Sequence, residues 1–178
     1  DFVQEDSIPD DTFGHGTQIA DLILSNTPGC IRIMPLKAAD ENGYAQAWDV
    51  CRALEYAADK GADIVNLSLN AVINGSDENE NLNSLITRLA ERGIQVIVSA
   101  GNTGGNVCSL FPASAEEAIV VAAVDDNKFP YFFSGYGENV KFCSLGKYNG
   151  EIGTSYSAAY VTSVAAMLKM YGVEKIDE

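Results

Sequence analysis

One stretch decides the fold: Val96-Ile97-Val98-Ser99-Ala100-Gly101-Asn102, an apolar, β-branched run that leads directly into a Gly-Asn turn. Runs of this kind are typical of buried parallel strands. Further short apolar runs, separated by longer helical patterns, predict strands at residues 31–36, 63–69, 95–100, 119–124 and 140–144. Strands that alternate with helices indicate βαβ units, so we predict an α/β fold with a doubly wound, mostly parallel sheet and helices on both faces.

Two amphipathic helices are predicted between these strands. Apolar residues recur at spacings of three and four in residues 45–60 and again in residues 82–89. Gly61 and Gly93 follow these patterns and are expected to end the two helices. Loops are predicted where Gly, Asn, Ser and Asp are frequent, at residues 70–81 and 101–109.

Two other helices have a different character. Residues 16–25 follow the single histidine of the chain, and residues 155–170 are small or apolar on nearly every face. A helix that is apolar all round is a buried one. A serine at the amino end of a buried central helix therefore calls for a chemical explanation.

The chain is acidic and of ordinary globular composition. Its 178 residues, 47% of them hydrophobic and 20% charged, suffice to bury the core of one domain. The chain has 11 Lys and Arg against 25 Asp and Glu, which gives a formal net charge of −14. No basic patch is therefore expected that could bind a nucleic-acid backbone or an anionic membrane surface. No apolar run is long enough to span a bilayer. We predict neither nucleic acid nor membrane as a partner.

Four cysteines are spread along the chain, at Cys30, Cys51, Cys108 and Cys143. They form no C-x-x-C pair, and there is a single histidine, so a zinc site is not predicted. Each cysteine lies beside apolar residues, which fits free buried thiols at least as well as disulfides. The cysteines therefore leave the cellular compartment open.

Three polar residues lie where the predicted fold favours chemistry. His15 starts a helix between two glycines, which leave it accessible to a substrate. Ser155 follows a Gly-Thr turn at the start of the buried helix, where unpaired N–H groups and the helix dipole favour an oxyanion. Asn102 ends the strand of the opening stretch, at the sheet edge where α/β proteins bind ligands, and can offer its amide to a developing negative charge.

Each of the three also has an ordinary structural explanation. A histidine near a helix start is commonly a surface residue, a serine there is commonly an N-cap, and Gly-Asn commonly only turns the chain. Their occurrence together, in the order His, Asn, Ser, favours chemistry over these separate explanations.

The order and the flanking residues of these motifs resemble the subtilisin-like serine endopeptidases, the subtilases of peptidase family S8. The resemblance extends over residues 1–178. It rests on H-G-T at His15, the strand Ile64-Val65-Asn66-Leu67-Ser68-Leu69, S-A-G-N ending at Asn102, Phe111-Pro112, Phe133-Ser134-Gly135-Tyr136-Gly137 and G-T-S ending at Ser155. It implies a single catalytic-core domain, partial at both ends, that hydrolyses peptide bonds.

The resemblance also implies a role for each motif residue. Ser155 is the nucleophile that forms an acyl-enzyme, His15 is the general base and then the acid, and Asn102 is an oxyanion donor beside the Ser155 N–H. A peptide or protein substrate adds as an extended strand. Its binding edge is Ser68-Leu69-Asn70, and the other wall of the P1 pocket is Ser99-Ala100-Gly101.

A few details of the site are expected to differ from the usual subtilase. Leu110, just before Phe111-Pro112, is expected at the base of the P1 pocket and favours a modest apolar P1 side chain over a cation. Tyr156 stands where the family usually has methionine, and Ala159 where it usually has proline. These two changes leave the serine helix intact and alter the space beside the nucleophile.

The aspartate of the family's triad is not among these motifs. The family carries it on an apolar strand upstream of the histidine, whereas only 14 residues precede His15 here and they contain no such strand. Asp10 and Asp11 lie in a loop and Asp21 lies further along the helix, so none inherits the role. We expect the chain to begin downstream of that strand, and to need a second chain or segment to cover the gap.

No cofactor or metal site is predicted. Many secreted subtilases bind calcium in a loop after the histidine helix, and that loop is not present here. Asp77, Glu78 and Glu80 offer oxygen ligands, but a solvated acidic loop is the favoured interpretation. The family default is an extracytoplasmic location, and the cysteines leave the cytoplasm open as well.

A second hypothesis accompanies the endopeptidase. Without the triad carboxylate the 178 residues alone are expected to have little activity, so the chain is alternatively a pseudoprotease or truncated scaffold that binds a peptide or a partner chain without cleaving it. An unrelated α/β binding domain would require all three motifs to coincide by chance.

Overall fold

The computed structural model describes residues 1–27, 29, 31–69, 71–72, 76–109 and 111–176. Four α-helices and eight β-strands are assigned in this part of the chain. In order they are α1 (His15–Ser25), β1 (Ala45–Gln46), α2 (Ala47–Asp59), β2 (Ile64–Leu67), β3 (Ala71–Val72), α3 (Ser76–Glu91), β4 (Gln95–Ser99), β5 (Ile119–Val124), β6 (Val140–Leu145), β7 (Lys147–Tyr148), β8 (Glu151–Ile152) and α4 (Thr154–Met170), with a short 3-10 helix at Val107–Ser109.

The central sheet contains four parallel strands in the order β2-β4-β5-β6. Parallel neighbours need crossover connections, and α3 supplies the one between β2 and β4. The remaining strands form two small two-stranded sheets, β1 with β3 and β7 with β8. The predicted α/β class with a mostly parallel sheet is confirmed.

Helices cover both faces of the sheet, as predicted. Along β4 the side chains alternate: Val96 and Val98 belong to a core shared with α2 and α3, whereas Ile97 packs against α4. All of these side chains are buried because a parallel strand is covered on both sides. The alternation explains why the strand reads as a continuous apolar run.

The last helix, α4, is the element that joins the fold together. It contacts all four strands of the central sheet and also α1. Its buried positions are mostly Ala, Ser and Thr, whose small side chains let the helix lie close to the sheet. The prediction of a buried helix at this place is confirmed.

The two predicted glycine C-caps are also confirmed. Gly61 and Gly93 have φ angles of 73° and 79°, in the left-handed region that favours glycine. After each glycine the chain returns a hydrogen bond to the last helical turn, from Ala62 N–H to Ala57 and from Ile94 N–H to Leu89. This is the expected geometry for ending α2 and α3.

The prediction of a strand at residues 31–36 is wrong. This segment is described throughout and has no strand assignment. Ile31 packs against the α1–α4 cluster and Leu36 against the α2–α3 core, whereas Ile33 and Met34 are exposed. An apolar run becomes a strand only where another strand offers a hydrogen-bonding edge, and no described strand lies beside this one.

The predicted loop at residues 70–81 is wrong in its second half, because α3 already begins at Ser76. The polar composition of this stretch resembles a loop, yet the helix is amphipathic only further along, where Leu82, Leu85, Ile86 and Leu89 are buried. Residues 73–75, within the predicted loop, lie outside the described residues, and so does Asn70.

The expectation of buried thiols is wrong for two cysteines. Cys108 and Cys143 are free and exposed, whereas Cys51 is partly buried beside the α2–α3 core. Cys30 lies outside the described residues. Within the described part of the chain, no helix combines the length and apolar character needed to cross a membrane.

Candidate active site

Two strands of the central sheet and two helices place the predicted site motifs. β4 leads into Asn102, β2 leads into Ser68, and α4 begins with Thr154 and Ser155 directly above them. The histidine helix α1 packs against α4 on the same side. Parallel strands open their carboxyl ends to ligands, so the fold itself gathers these side chains.

Ser155 lies at the amino end of α4 and is 9% exposed. Its Oγ donates to the Ser68 carbonyl at 3.5 Å, and the Ser68 Oγ donates to the Ser155 carbonyl at 3.3 Å. The N-cap of α4 is Gly153, which has no side chain to cap the helix. The interpretation of Ser155 as an ordinary N-cap is therefore wrong, and its backbone N–H is one of the unpaired donors of the first turn.

Asn102 is held in one orientation by Thr154. Its Oδ1 accepts hydrogen bonds from the Thr154 N–H at 2.9 Å and from the Thr154 Oγ1 at 3.0 Å. Two donors on one oxygen fix which side of the amide is the oxygen. The Asn102 Nδ2 makes no hydrogen bond among the described contacts. It lies beside Gly153, the N-cap of α4. The amide presents a donor beside the helix that carries Ser155.

His15 is the first residue of α1 and is half-buried. Its ring lies beside Tyr156, with 6.3 Å between the ring centroids and 54° between the ring planes. Among the described contacts the imidazole makes no hydrogen bond, either to Ser155 or to a carboxylate. The structure thus places His15 near the amino end of α4, in contact with Tyr156, the residue that follows Ser155.

The comparison with known proteins decides the family. The sequence matches the profile of the subtilase family, Peptidase_S8, over residues 1–173. The chain belongs to the subtilase family. The resemblance carried by His15, Asn102 and Ser155 is confirmed as a family relationship.

Characterised relatives of this subtilase are named as proteinases. A thermophilic serine proteinase of Bacillus sp. (strain AK1) is 32% identical over 197 residues, which cover 99% of this chain and 48% of the relative. Thermitase of Thermoactinomyces vulgaris is 31% identical, covering 97% of this chain and 67% of thermitase. The chain therefore spans about half the length of the first relative and two thirds of the second.

A solved structure supports the fold of the subtilase chain. The crystal structure of a cold adapted subtilisin-like serine proteinase superposes with a TM-score of 0.87 at 22% identity, covering 98% of this chain and 67% of that one. The predicted subtilisin-like architecture is confirmed by this likeness.

Burial and a nearby carboxylate act on His15 in opposite directions. Burial lowers the pKa of the imidazole below its ordinary value of 6.5, and the charge of Asp11 opposes part of this shift. Asp11 itself is a helix cap: its carboxylate accepts from the Gly14 N–H, the Thr17 N–H and the Thr17 Oγ1 at 2.6 to 2.7 Å. Burial acts to raise the pKa of Asp11, but these hydrogen bonds lower it overall.

Asp11→Asn is expected to lower the pKa of His15 further below 6.5, because it removes the negative charge that favours the imidazolium. The chain has a single histidine, so the Cε1–H resonance of His15 can be followed by NMR through a pH titration.

The pH dependence of stability follows from the same shift, because the unfolded imidazole of His15 binds its proton more tightly than the folded one. The free energy of unfolding should therefore fall as the pH is lowered through 6.5 and below.

The matched control is Asp10→Asn, which removes the adjacent carboxylate. The Asp10 side chain is exposed, and no described hydrogen bond joins it to α1. Its replacement should leave the His15 midpoint almost unchanged. An unchanged or raised midpoint in Asp11→Asn would contradict the assigned charge effect.

The predicted substrate walls are in part backbone surfaces. Ser99 and Ala100 have buried side chains at the end of β4, and Gly101 accepts a hydrogen bond from the Gly135 N–H. Ser68 and Leu69 are partly buried after β2. Ser68 exchanges hydrogen bonds with Ser155, and Gly101 directly precedes Asn102, so both segments reach the site. Asn70 and Leu110 lie outside the described residues.

The described carboxylates near His15 are engaged elsewhere. Asp11 caps α1, and Asp21 accepts a hydrogen bond from the Tyr148 hydroxyl at 2.6 Å. Asp10 has no described side-chain contact. The first 14 residues contain no strand.

Among the described residues no group of three or more His, Cys, Asp or Glu side chains is placed to hold a metal ion. The side chains of Asp77, Glu78 and Glu80 lie outside the described ones.

Two features of the site were missed at the level of sequence. Thr154 fixes the Asn102 amide, and the Tyr156 hydroxyl donates to the Gln18 Oε1 at 2.7 Å. Their signals were present: Thr154 and Tyr156 flank Ser155, and Gln18 follows His15 by one helical turn. The pairing itself depends on the packing of α1 against α4.

Proposed function

We propose that this chain is the core of a serine endopeptidase that hydrolyses peptide bonds through an acyl-enzyme on Ser155. The observation that carries the proposal is the Asn102 amide. Thr154 holds its oxygen, so its N–H donors are left for an oxyanion beside the amino end of α4. Fixed donors aimed at a developing negative charge are a principal source of catalysis in acyl transfer.

The proposed reaction uses side chains and backbone N–H groups. His15 takes the proton of the Ser155 hydroxyl as the Oγ–carbonyl bond forms. It then gives the proton to the leaving amine as the peptide bond breaks. Asn102 and the Ser155 N–H donate to the carbonyl oxygen. Water hydrolyses the ester in a second passage through the same groups. Burial suits His15 to this task because it favours the neutral imidazole.

We propose that the substrate is a peptide or protein bound as an extended strand. Ser68, Leu69 and Asn70 form its binding edge, and Ser99, Ala100 and Gly101 form the other wall of the P1 pocket. The support is the position of the described residues: Ser68 and Leu69 directly follow β2, and Ser99 ends β4. Ser68 also exchanges hydrogen bonds with Ser155. The sequence-based expectation that Leu110 favours a modest apolar P1 side chain is part of this proposal. A preference for Arg at P1 would contradict this assignment.

We propose further that a carboxylate from another segment or a second chain completes the site. No described carboxylate hydrogen-bonds to His15, and β2 has an unpaired edge in the described sheet. An added strand on that edge would pair its open backbone groups. Its carboxylate would orient the imidazole.

A fluorophosphonate probe tests the proposed nucleophile. The Ser155 Oγ–phosphorus bond should form with loss of fluoride, and mass spectrometry should place the adduct on the peptide that contains Ser155. Both Ser155→Ala and His15→Ala should abolish labelling, because the first removes the nucleophile and the second removes its base.

Ser157→Ala is the matched control for the labelling experiment. Ser157 lies two residues further along α4, is fully buried, and donates to the Ser144 carbonyl at 3.1 Å. This variant should be labelled like the unmodified chain. Absence of labelling in the unmodified folded chain would favour the alternative function, a pseudoprotease scaffold that binds peptides without cleaving them.

A further inference from the structure

A hydrogen bond links the two helices that carry Ser155 and His15. Tyr156, the residue after Ser155, donates its hydroxyl to the Gln18 Oε1 at 2.7 Å. Tyr156 is 5% exposed, so its hydroxyl requires a partner within the protein. Gln18 lies one turn after His15 and is half-buried. The hydrogen bond therefore joins the residue next to Ser155 to the helix that begins with His15.

The same tyrosine forms a wall for the imidazole. The His15 and Tyr156 ring centroids are 6.3 Å apart, and the tilted arrangement is typical of a packed aromatic pair. Ile19, Leu22 and Ile23 of α1 belong to the same buried cluster as Tyr156. The imidazole makes no hydrogen bond among the described contacts. Its position relative to Ser155 is thus fixed by the packing of α1 on α4 around this ring.

A second tyrosine in the same cluster offers an internal comparison. Tyr148 lies 6.2 Å from Tyr156, measured between ring centroids, and its hydroxyl donates to the Asp21 carboxylate at 2.6 Å. Asp21 is almost two turns beyond His15 along α1. Tyr148 therefore also makes a hydrogen bond to α1, but to a residue further along the helix than Gln18.

We propose that Tyr156 and Gln18 are positioning residues, whose hydrogen bond holds the imidazole of His15 in register with the Ser155 hydroxyl. The proposal rests on the proposed function, in which His15 deprotonates Ser155. Proton transfer requires hydrogen-bond reach between base and nucleophile, and a misplacement of about 1 Å can cost on the order of 10²-fold in rate. Loss of the hydrogen bond between Tyr156 and Gln18 should therefore have a measurable effect on the rate.

Tyr156→Phe and Gln18→Ala test this bond from its two sides. Each should slow fluorophosphonate labelling of Ser155 by about tenfold, since the imidazole is held less closely. The double variant should be no slower than either single one, because both remove the same interaction. Tyr148→Phe removes a hydroxyl from the same cluster and should label within about twofold of the unmodified chain.

Gln18→Glu provides a conservative rescue with its own signature. It keeps an oxygen acceptor for the Tyr156 hydroxyl, so the labelling rate at high pH should recover. The added negative charge should raise the pKa of His15 and move the pH midpoint of labelling upward. The other charged groups beside the pair, Asp11 ahead of α1 and Glu151 facing Tyr156, are the same in all variants.

NMR titration of the single histidine separates this proposal from the proposed function. In Tyr156→Phe and Gln18→Ala the His15 midpoint should rise toward 6.5, because a loosened imidazole is more solvated. If the unmodified chain is not labelled, the proposed function fails and the midpoints alone decide the positioning role. Labelling rates and midpoints that match those of Tyr148→Phe would overturn it. Gln18→Ala carries the test if Tyr156→Phe does not fold.

Discussion

Asn102→Ala is expected to slow acylation of Ser155 by about 10²–10³-fold, the range established for the equivalent loss in subtilisin itself. The reason is geometric. Thr154 already fixes the amide oxygen, so the N–H donors need no reorganisation when negative charge develops. The measurement is the rate of fluorophosphonate labelling, with folding checked by circular dichroism. Asn102→Asp should be at least as slow, because it keeps the anchored oxygen and replaces the donor with a negative charge.

Asn106→Ala is the control for Asn102→Ala. Asn106 lies in the same loop and uses its Oδ1 to accept from the Cys108 N–H at 2.9 Å, away from α4. Its replacement perturbs the loop without removing a donor from the site, so the labelling rate should change by less than about threefold. If Asn102→Ala behaved in the same way, its amide would have no contact with the oxyanion.

Gly135→Ala is expected to lower the free energy of unfolding by about 3 kcal/mol or more, because the added methyl group has no room. A Cβ at this position would lie 2.0 Å from the Ala100 carbonyl oxygen and 3.0 Å from the Val107 Cγ1. The nearest atom is backbone, so it cannot move aside by rotating a side chain. Gly135 also donates to the Gly101 carbonyl at 3.0 Å, so the clash would displace the segment that leads to Asn102.

Urea unfolding of Gly135→Ala and Gly29→Ala would measure this effect. A Cβ at Gly29 would meet no atom of the described residues within 4 Å, and its φ lies outside the left-handed region. Gly29→Ala should therefore change the free energy of unfolding by less than about 0.5 kcal/mol. Equal stability of the two variants would contradict the close approach of Gly135 to Ala100. Labelling of any folded Gly135→Ala should also be impaired.

Much of the fold could be predicted because its strands carry their own signal. β5 spans the predicted residues 119–124, and β2, β4 and β6 differ from prediction only at their ends. β4 and β5 are apolar runs that are buried almost throughout. β2 is only partly buried, and β6 alternates, with Lys141 and Cys143 exposed. The segment 31–36 has the same composition, yet composition does not reveal whether a neighbouring edge exists. Strand identity depends on a partner, and a partner is a property of the tertiary fold.

The sequence was enough to predict which residues form the candidate site. It was not enough to predict the contacts that orient their side chains. His15, Asn102 and Ser155 stand out because glycines and small residues flank them. The contacts that orient them join residues far apart in sequence: 52 positions separate Asn102 from Thr154, and 138 separate Gln18 from Tyr156. Such pairs follow only from the packing of α4 against the sheet and α1.

The place of α4 in the chain has a consequence for how the protein acquires reactivity. This helix follows every strand of the central sheet in sequence, yet it contacts all four of them. Contacts between such distant segments form late in folding, since the loops between them must close first. A nascent chain that has not yet released α4 therefore has neither a finished core nor a nucleophile. Under the proposed function, labelling of Ser155 can thus serve as a kinetic probe of folding, because the serine reaches its place beside Ser68 and Asn102 only when α4 docks.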